Sequence, residues 1–189
     1  IWMYRKDIFE KHRGRMQDDL GFDPFPSDDS TWEQYYATSD WIRKNASDDV
    51  PYGSGHQAKQ HDSLMNDFSN VLWAYGGDYF ANGAEVGRYG SDDPGEPLLD
   101  RPESIEGAEM YERLLSIAHP ASKGWDWTGL AEAFMAGEVA MGAEWHEFAA
   151  GIEASKIAGK VGYARLPRGP RRSANMYGGT EIGINGVAP

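Results

Sequence analysis

Three short stretches carry residues able to grip or transform a small solute. The first runs from Gly55 to Asp62 and reads Gly-His-Gln-Ala-Lys-Gln-His-Asp. It gathers amide, imidazole and carboxylate groups where a strand is expected to meet a helix N-terminus, the place where ligands settle in α/β sheets. The second is Glu144-Trp145-His146-Glu147, just past an apolar run containing Met141. A ring there stacks on a ligand or roofs the core. The third is Tyr177-Gly178-Gly179-Thr180-Glu181, whose two glycines allow close approach of backbone to a ligand or simply form a turn. Asp62 also has a plainer role as a helix N-cap.

Other chemistries find less support. Gly53-Ser54-Gly55 with Lys59 lacks the Gly-Lys-Ser/Thr end of a phosphate loop, because Ala58 precedes the lysine. His56 and His61 are five apart and fall on different sides of a helix, and neither His12 nor His119 completes a ligand set. No metal and no cofactor is therefore expected. No GxSxG elbow supports serine catalysis. Glu144, Glu147, Asp62 and Glu181 are candidate carboxylates for a glycosidase, which needs two such groups flanking the scissile bond. Thirty acids in 189 residues make nearby pairs inevitable, so spacing alone does not select hydrolysis.

The elements that must position these residues follow from pattern. Residues 1–5 read as a strand and Asp7 to about Arg13 as a helix, followed by a polar loop to residue 30. Ser30 and Thr31 both offer capping boxes for a helix fading near Asn45. Leu64, Phe68, Val71, Leu72 and Tyr75 form the stripe of a further helix, capped by Asp62 or Ser63 and ended by Gly76-Gly77. Pro102 starts another helix, and Thr128 caps one that ends at Gly137. Val139, Met141 and Ala143 alternate as a strand, and Val161–Leu166 and Glu181–Asn185 are further strands. Helices alternating with short strands indicate an α/β fold with a layered sheet and flanking helices. The net charge of -12 disfavours nucleic acid and anionic lipid as partners, and no apolar run is long enough for a membrane span. The absence of cysteine excludes disulfides and thiol chemistry.

Several segments, taken in order, resemble family 1 extracellular solute-binding proteins, the maltose-binding-protein-like group of ABC importers. They are Trp2–Lys11, Ser30–Glu33, Leu72–Phe80, Glu132–Met141 with Trp145 after it, Gly159–Pro167 and Gly178–Asn185. The resemblance implies a periplasmic-binding-protein-like (type II) fold with two lobes that close on a ligand. It assigns residues 1–180 to an incomplete second lobe and 181–189 to a strand crossing back toward the first, in a chain cut at both ends. It further implies a monomeric, non-catalytic periplasmic receptor that binds a sugar or polyol and delivers it to ABC importer permease subunits. By position, the ligand-binding candidates are Gln60, His61, Asp62, Trp145, Gly178, Gly179 and Glu181. His146-Glu147 and Thr180-Glu181 depart from the family pattern. The alternatives are a carbohydrate hydrolase, or the same fold holding a polyol phosphate or a peptide. A phosphate would want Arg or Lys in the cleft, where only Lys59 is near.

Overall fold

The structure, a computed structural model, describes residues 1–83, 92–176 and 178. Glu181–Asn185, expected as a strand, lies outside the described residues. Four strands form one mixed sheet in the order β2-β3-β1-β4, with β1 Trp2–Arg5, β2 Tyr52–Ser54, β3 Val139–Ala143 and β4 Val161–Ala164. β1 is antiparallel to both neighbours, pairing Trp2 with Ala143 on one side and with Ala164 on the other. β2 and β3 run parallel, with Ser54 opposite Met141. Their carboxyl ends therefore open on the same edge of the sheet.

Helices cover both faces. On one side lie α1 (Lys6–Leu20), α2 (Trp32–Asn45), α3 (Asp62–Ala74) and α4 (Pro102–Ile117). On the other lie α5 (Trp127–Met135) and α6 (Ala149–Glu153). Alternation along β1 sends Trp2 into the first layer, with Phe9, Trp32, Tyr35 and Leu114, and Met3 into the second, with Leu130, Phe134 and Ile152. Each of these buried side chains contributes roughly 2 kcal/mol through area removed from water. Because both faces are covered, all five residues of β3 are buried.

Helix ends follow local chemistry, with some differences from expectation. α1 continues past Arg13 to Leu20 and stops at Gly21, whose φ of 77° supplies the left-handed C-terminal cap. Gly14 does not break it, and Met16 anchors the extra turns in the core. Thr31, not Ser30, completes the capping box of α2: its hydroxyl accepts from the Gln34 N–H at 3.2 Å, and Gln34 Oε1 accepts from the Thr31 N–H at 3.0 Å. His61 caps α3, and Asp126, not Thr128, caps α5. After β4 the chain returns over the first layer. Arg168 N–H donates to the Ser30 carbonyl at 2.8 Å, and Arg172 Nε donates to the Trp73 carbonyl at 2.6 Å. That path brings Asn175, Met176 and Gly178 beside the carboxyl end of β3.

Candidate functional site

The parallel pair β2–β3 decides where the site lies. β2 delivers Gly55, His56 and Gln57 past its end, and β3 delivers Glu144 and Trp145 past its own. Gly55 N–H donates to the Met141 carbonyl at 3.0 Å and carries the ladder one step further. α3 faces the same edge with Asn66, Asp67 and Asn70. The return segment closes the side, where Asn70 Oδ1 accepts from the Met176 N–H at 2.6 Å.

A buried polar network holds this corner together. Asp67 Oδ2 accepts from the Tyr111 hydroxyl at 3.0 Å and from the Gln57 N–H at 3.3 Å, and lies 2.9 Å from His56 Nδ1. Burial pushes the Tyr111 phenol far up, and the Asp67 carboxylate adds to it. Gln57 Nε2 donates to the Ala143 carbonyl at 2.9 Å and to Glu144 Oε1 at 3.2 Å. Glu144 is 4% exposed, and burial pushes its carboxyl up to about 9. That outweighs the hydrogen bond from the Trp145 N–H, while the Asp67 charge pushes the same way as burial.

Two connected spaces result. The inner one, of about 50 Å³, is lined by Gln57, Asn66, Asp67, Asn70, Glu144 and Trp145, among others. The outer one is an open groove of about 1080 Å³, floored by Trp145 and walled by Asp28, Glu147, Tyr163 and Arg165. Trp145 is half-buried and lines both spaces. Gly178 also lines the groove and packs on that ring: a Cβ at this position would meet Trp145 Cη2 at 2.5 Å. Among the described residues no group of three His, Asp or Glu side chains is placed to hold a metal. No helix among them is long and apolar enough to cross a membrane.

The structure brings Trp145 and Gly178 together and places the first stretch elsewhere. Gln60 and Asp62 are exposed and line neither space. His61 is also exposed, caps Ser63 N–H at 3.2 Å, and meets the Trp127 ring edge-on at 4.8 Å, beside the start of α5. Gly179 and Glu181 lie outside the described residues. Within the stretch Gly55–Asp62 it is Gln57 that reaches the cavity. Asn66, Asp67 and Asn70 were not singled out. Their signal is a second, polar row on α3: Ser63, Asp67 and Asn70 follow helical spacing and are all buried.

A profile of the bacterial extracellular solute-binding protein family matches residues 2–188. A probable ABC transporter-binding protein of Deinococcus radiodurans is 27% identical over 193 residues, covering 98% of this chain and 40% of that protein. Maltose-bound MalE3 of T. maritima superposes with a TM-score of 0.69 at 23% identity, covering 92% of this chain and 39% of that one. An ABC transporter solute-binding protein from Agrobacterium radiobacter K84 in complex with ribitol gives 0.67 at 24% identity, covering 90% and 38%. These two structures share the fold, and the chain spans about two fifths of the length of each relative. With the family profile running over nearly its whole length, the chain belongs to the bacterial extracellular solute-binding proteins.

Proposed function

We propose that this chain is the greater part of the second lobe of a two-lobed, extracytoplasmic receptor that binds an uncharged sugar or polyol and presents it to an ABC importer. The observation that carries the reading is Trp145, a half-buried ring at the mouth of a cavity walled by amides and acids. A flat apolar face flanked by hydrogen-bonding groups matches a pyranose or an extended polyol, which offers C–H faces and a rim of hydroxyls. Among the described residues, the inner cavity has neither Lys nor Arg in its lining, and Arg165 in the groove wall lies 3.8 Å from the Asp28 carboxylate, which disfavours a phosphorylated ligand. Maltose and ribitol, carried by two relatives of the same fold, are solutes of the expected kind. Closure of the two lobes over the ligand is a hinge motion. The periplasmic location and the monomeric state belong to the same proposal.

One observation favours hydrolysis instead: a buried glutamic acid with a raised pKa is a common general acid. Family membership weighs against it, and turnover separates the two. The whole polypeptide is titrated calorimetrically with neutral sugars and polyols, maltose and ribitol among them, and each ligand is checked for consumption. Trp145→Ala is expected to weaken the bound member about thirtyfold, or about 2 kcal/mol, with the circular dichroism spectrum retained. Unchanged affinity in this variant would remove Trp145 from the site, and loss of sugar over time would establish hydrolysis.

A further inference from the structure

Two oxygens in the residues lining the inner cavity, Glu144 Oε2 and Gln57 Oε1, are buried without a hydrogen-bond partner among the described residues. Their side chains are already joined, since Gln57 Nε2 donates to Glu144 Oε1 at 3.2 Å. The orientation of the carboxamide is fixed, because Nε2 also donates to the Ala143 carbonyl at 2.9 Å. That leaves Gln57 Oε1 as an acceptor. Glu144 Oε1 receives the Trp145 N–H as well, at 2.9 Å, so a proton on this carboxyl belongs on Oε2. In the ionised form both orphaned oxygens would be buried acceptors with no donor among the described residues, an unfavourable arrangement because each loses its hydrogen bonds to water without replacement. A proton on Oε2 makes that oxygen a donor, and the side chain already bonded to this carboxyl carries the other unpartnered acceptor, Gln57 Oε1.

Resting on the sugar or polyol reading, we propose that Glu144 serves as a neutral acid paired head to tail with the Gln57 carboxamide, and that this pair is the specificity-determining element that keeps the cavity competent for uncharged hydroxylated solutes. The charged groups around Glu144 agree with this. Asp67 on α3 and Glu147 in the turn His146–Phe148 both disfavour a second negative charge. His56 lies behind Asp67 and contacts that carboxylate, not Glu144. Burial is the largest influence, and with these neighbours it places the titration at about 9. Ionisation would take the donor away from Oε2, leave the Nε2–Oε1 bond in place, and set two carboxylates against each other in the cavity wall. It would also disturb the residue whose Oε1 anchors the Trp145 backbone. The neutral form is therefore the one that binds.

Infrared difference spectroscopy of wild type against Glu144→Gln tests the protonation state without any ligand. A carboxylic acid C=O stretch is expected at pH 7, absent from the variant and lost from wild type by about pH 10. Calorimetry with maltose and with ribitol then tests specificity on the whole polypeptide. Affinity for whichever binds is expected to fall about tenfold from pH 7 to pH 10, as the competent fraction falls to roughly one tenth. In Glu144→Gln the fall is expected to be less than about twofold. A missing acid band at pH 7 overturns the inference whatever the ligand, and so does an equal fall in the variant. A band present with neither probe bound counts against the sugar reading and the claimed selectivity, and leaves the neutral acid standing.

Discussion

Glu144 carries the largest consequence of any single residue, because burial changes which protonation state belongs to the fold. Its ordinary value is 4.5 and its folded value about 9, so between these the folded protein holds a proton that the unfolded chain has released. Stability from this group is fully present below about pH 4.5 and is lost as pH rises toward about 9. Chemical denaturation at pH 6 and at pH 9 should show wild type losing more stability between the two than Glu144→Gln does. Equal losses would mean that the carboxyl is not protonated in the folded state. Trp145 was legible from sequence because a ring placed just past a buried strand stands out. Asp67 was not: it sits one residue before Phe68 of the apolar stripe, and nothing local shows that Tyr111, His56 and the Gln57 N–H will converge on its Oδ2.

At the scale of elements, caps and strand ends set the geometry on which the site depends. α2 starts through the reciprocal bonds of Thr31 and Gln34, and the same point is tied to the return segment by the Trp32 N–H donating to the Arg168 carbonyl at 3.1 Å. Thr31→Ala should lower the unfolding free energy by about 1 kcal/mol, read by urea denaturation, while Ser30→Ala leaves α2 its cap. A larger loss from Ser30→Ala than from Thr31→Ala would contradict the assignment. Helices with a clear 3.6-residue stripe, such as α3 and α4, were legible in existence and approximate extent. The polar run after Arg13, with Gly14, makes α1 look short, yet Met16 and the half-buried Leu20 tie its later turns to the core. Gln60, His61 and Asp62 marked the right junction of strand and helix. The turn of the chain there sets His61 against Trp127 and leaves Gln60 and Asp62 exposed, and Gln57, a few residues earlier, is what lines the cavity.

For the whole molecule, an acidic surface, a sheet layered between helices and a cavity at the carboxyl ends of parallel strands all suit the capture of a neutral solute. A formal charge of -12 favours cations and neutral molecules over anions at the mouth of a cleft. On the proposed reading of one lobe out of two, this chain would supply half of such a cleft, so tight binding is expected of the whole polypeptide and not of these residues in isolation. The α/β character was legible because helical and strand periodicities alternate. The pairing order β2-β3-β1-β4 was not, because every strand pair joins residues 87 or more positions apart. The most direct test of the central claim is a thermal-shift screen of the whole polypeptide against neutral sugars and polyols beside their phosphorylated counterparts. A concentration-dependent rise in melting temperature with one class of neutral sugar or polyol, and none with its phosphate, is the expected result. A rise confined to phosphorylated or peptide solutes would keep the fold and contradict the account of its ligand.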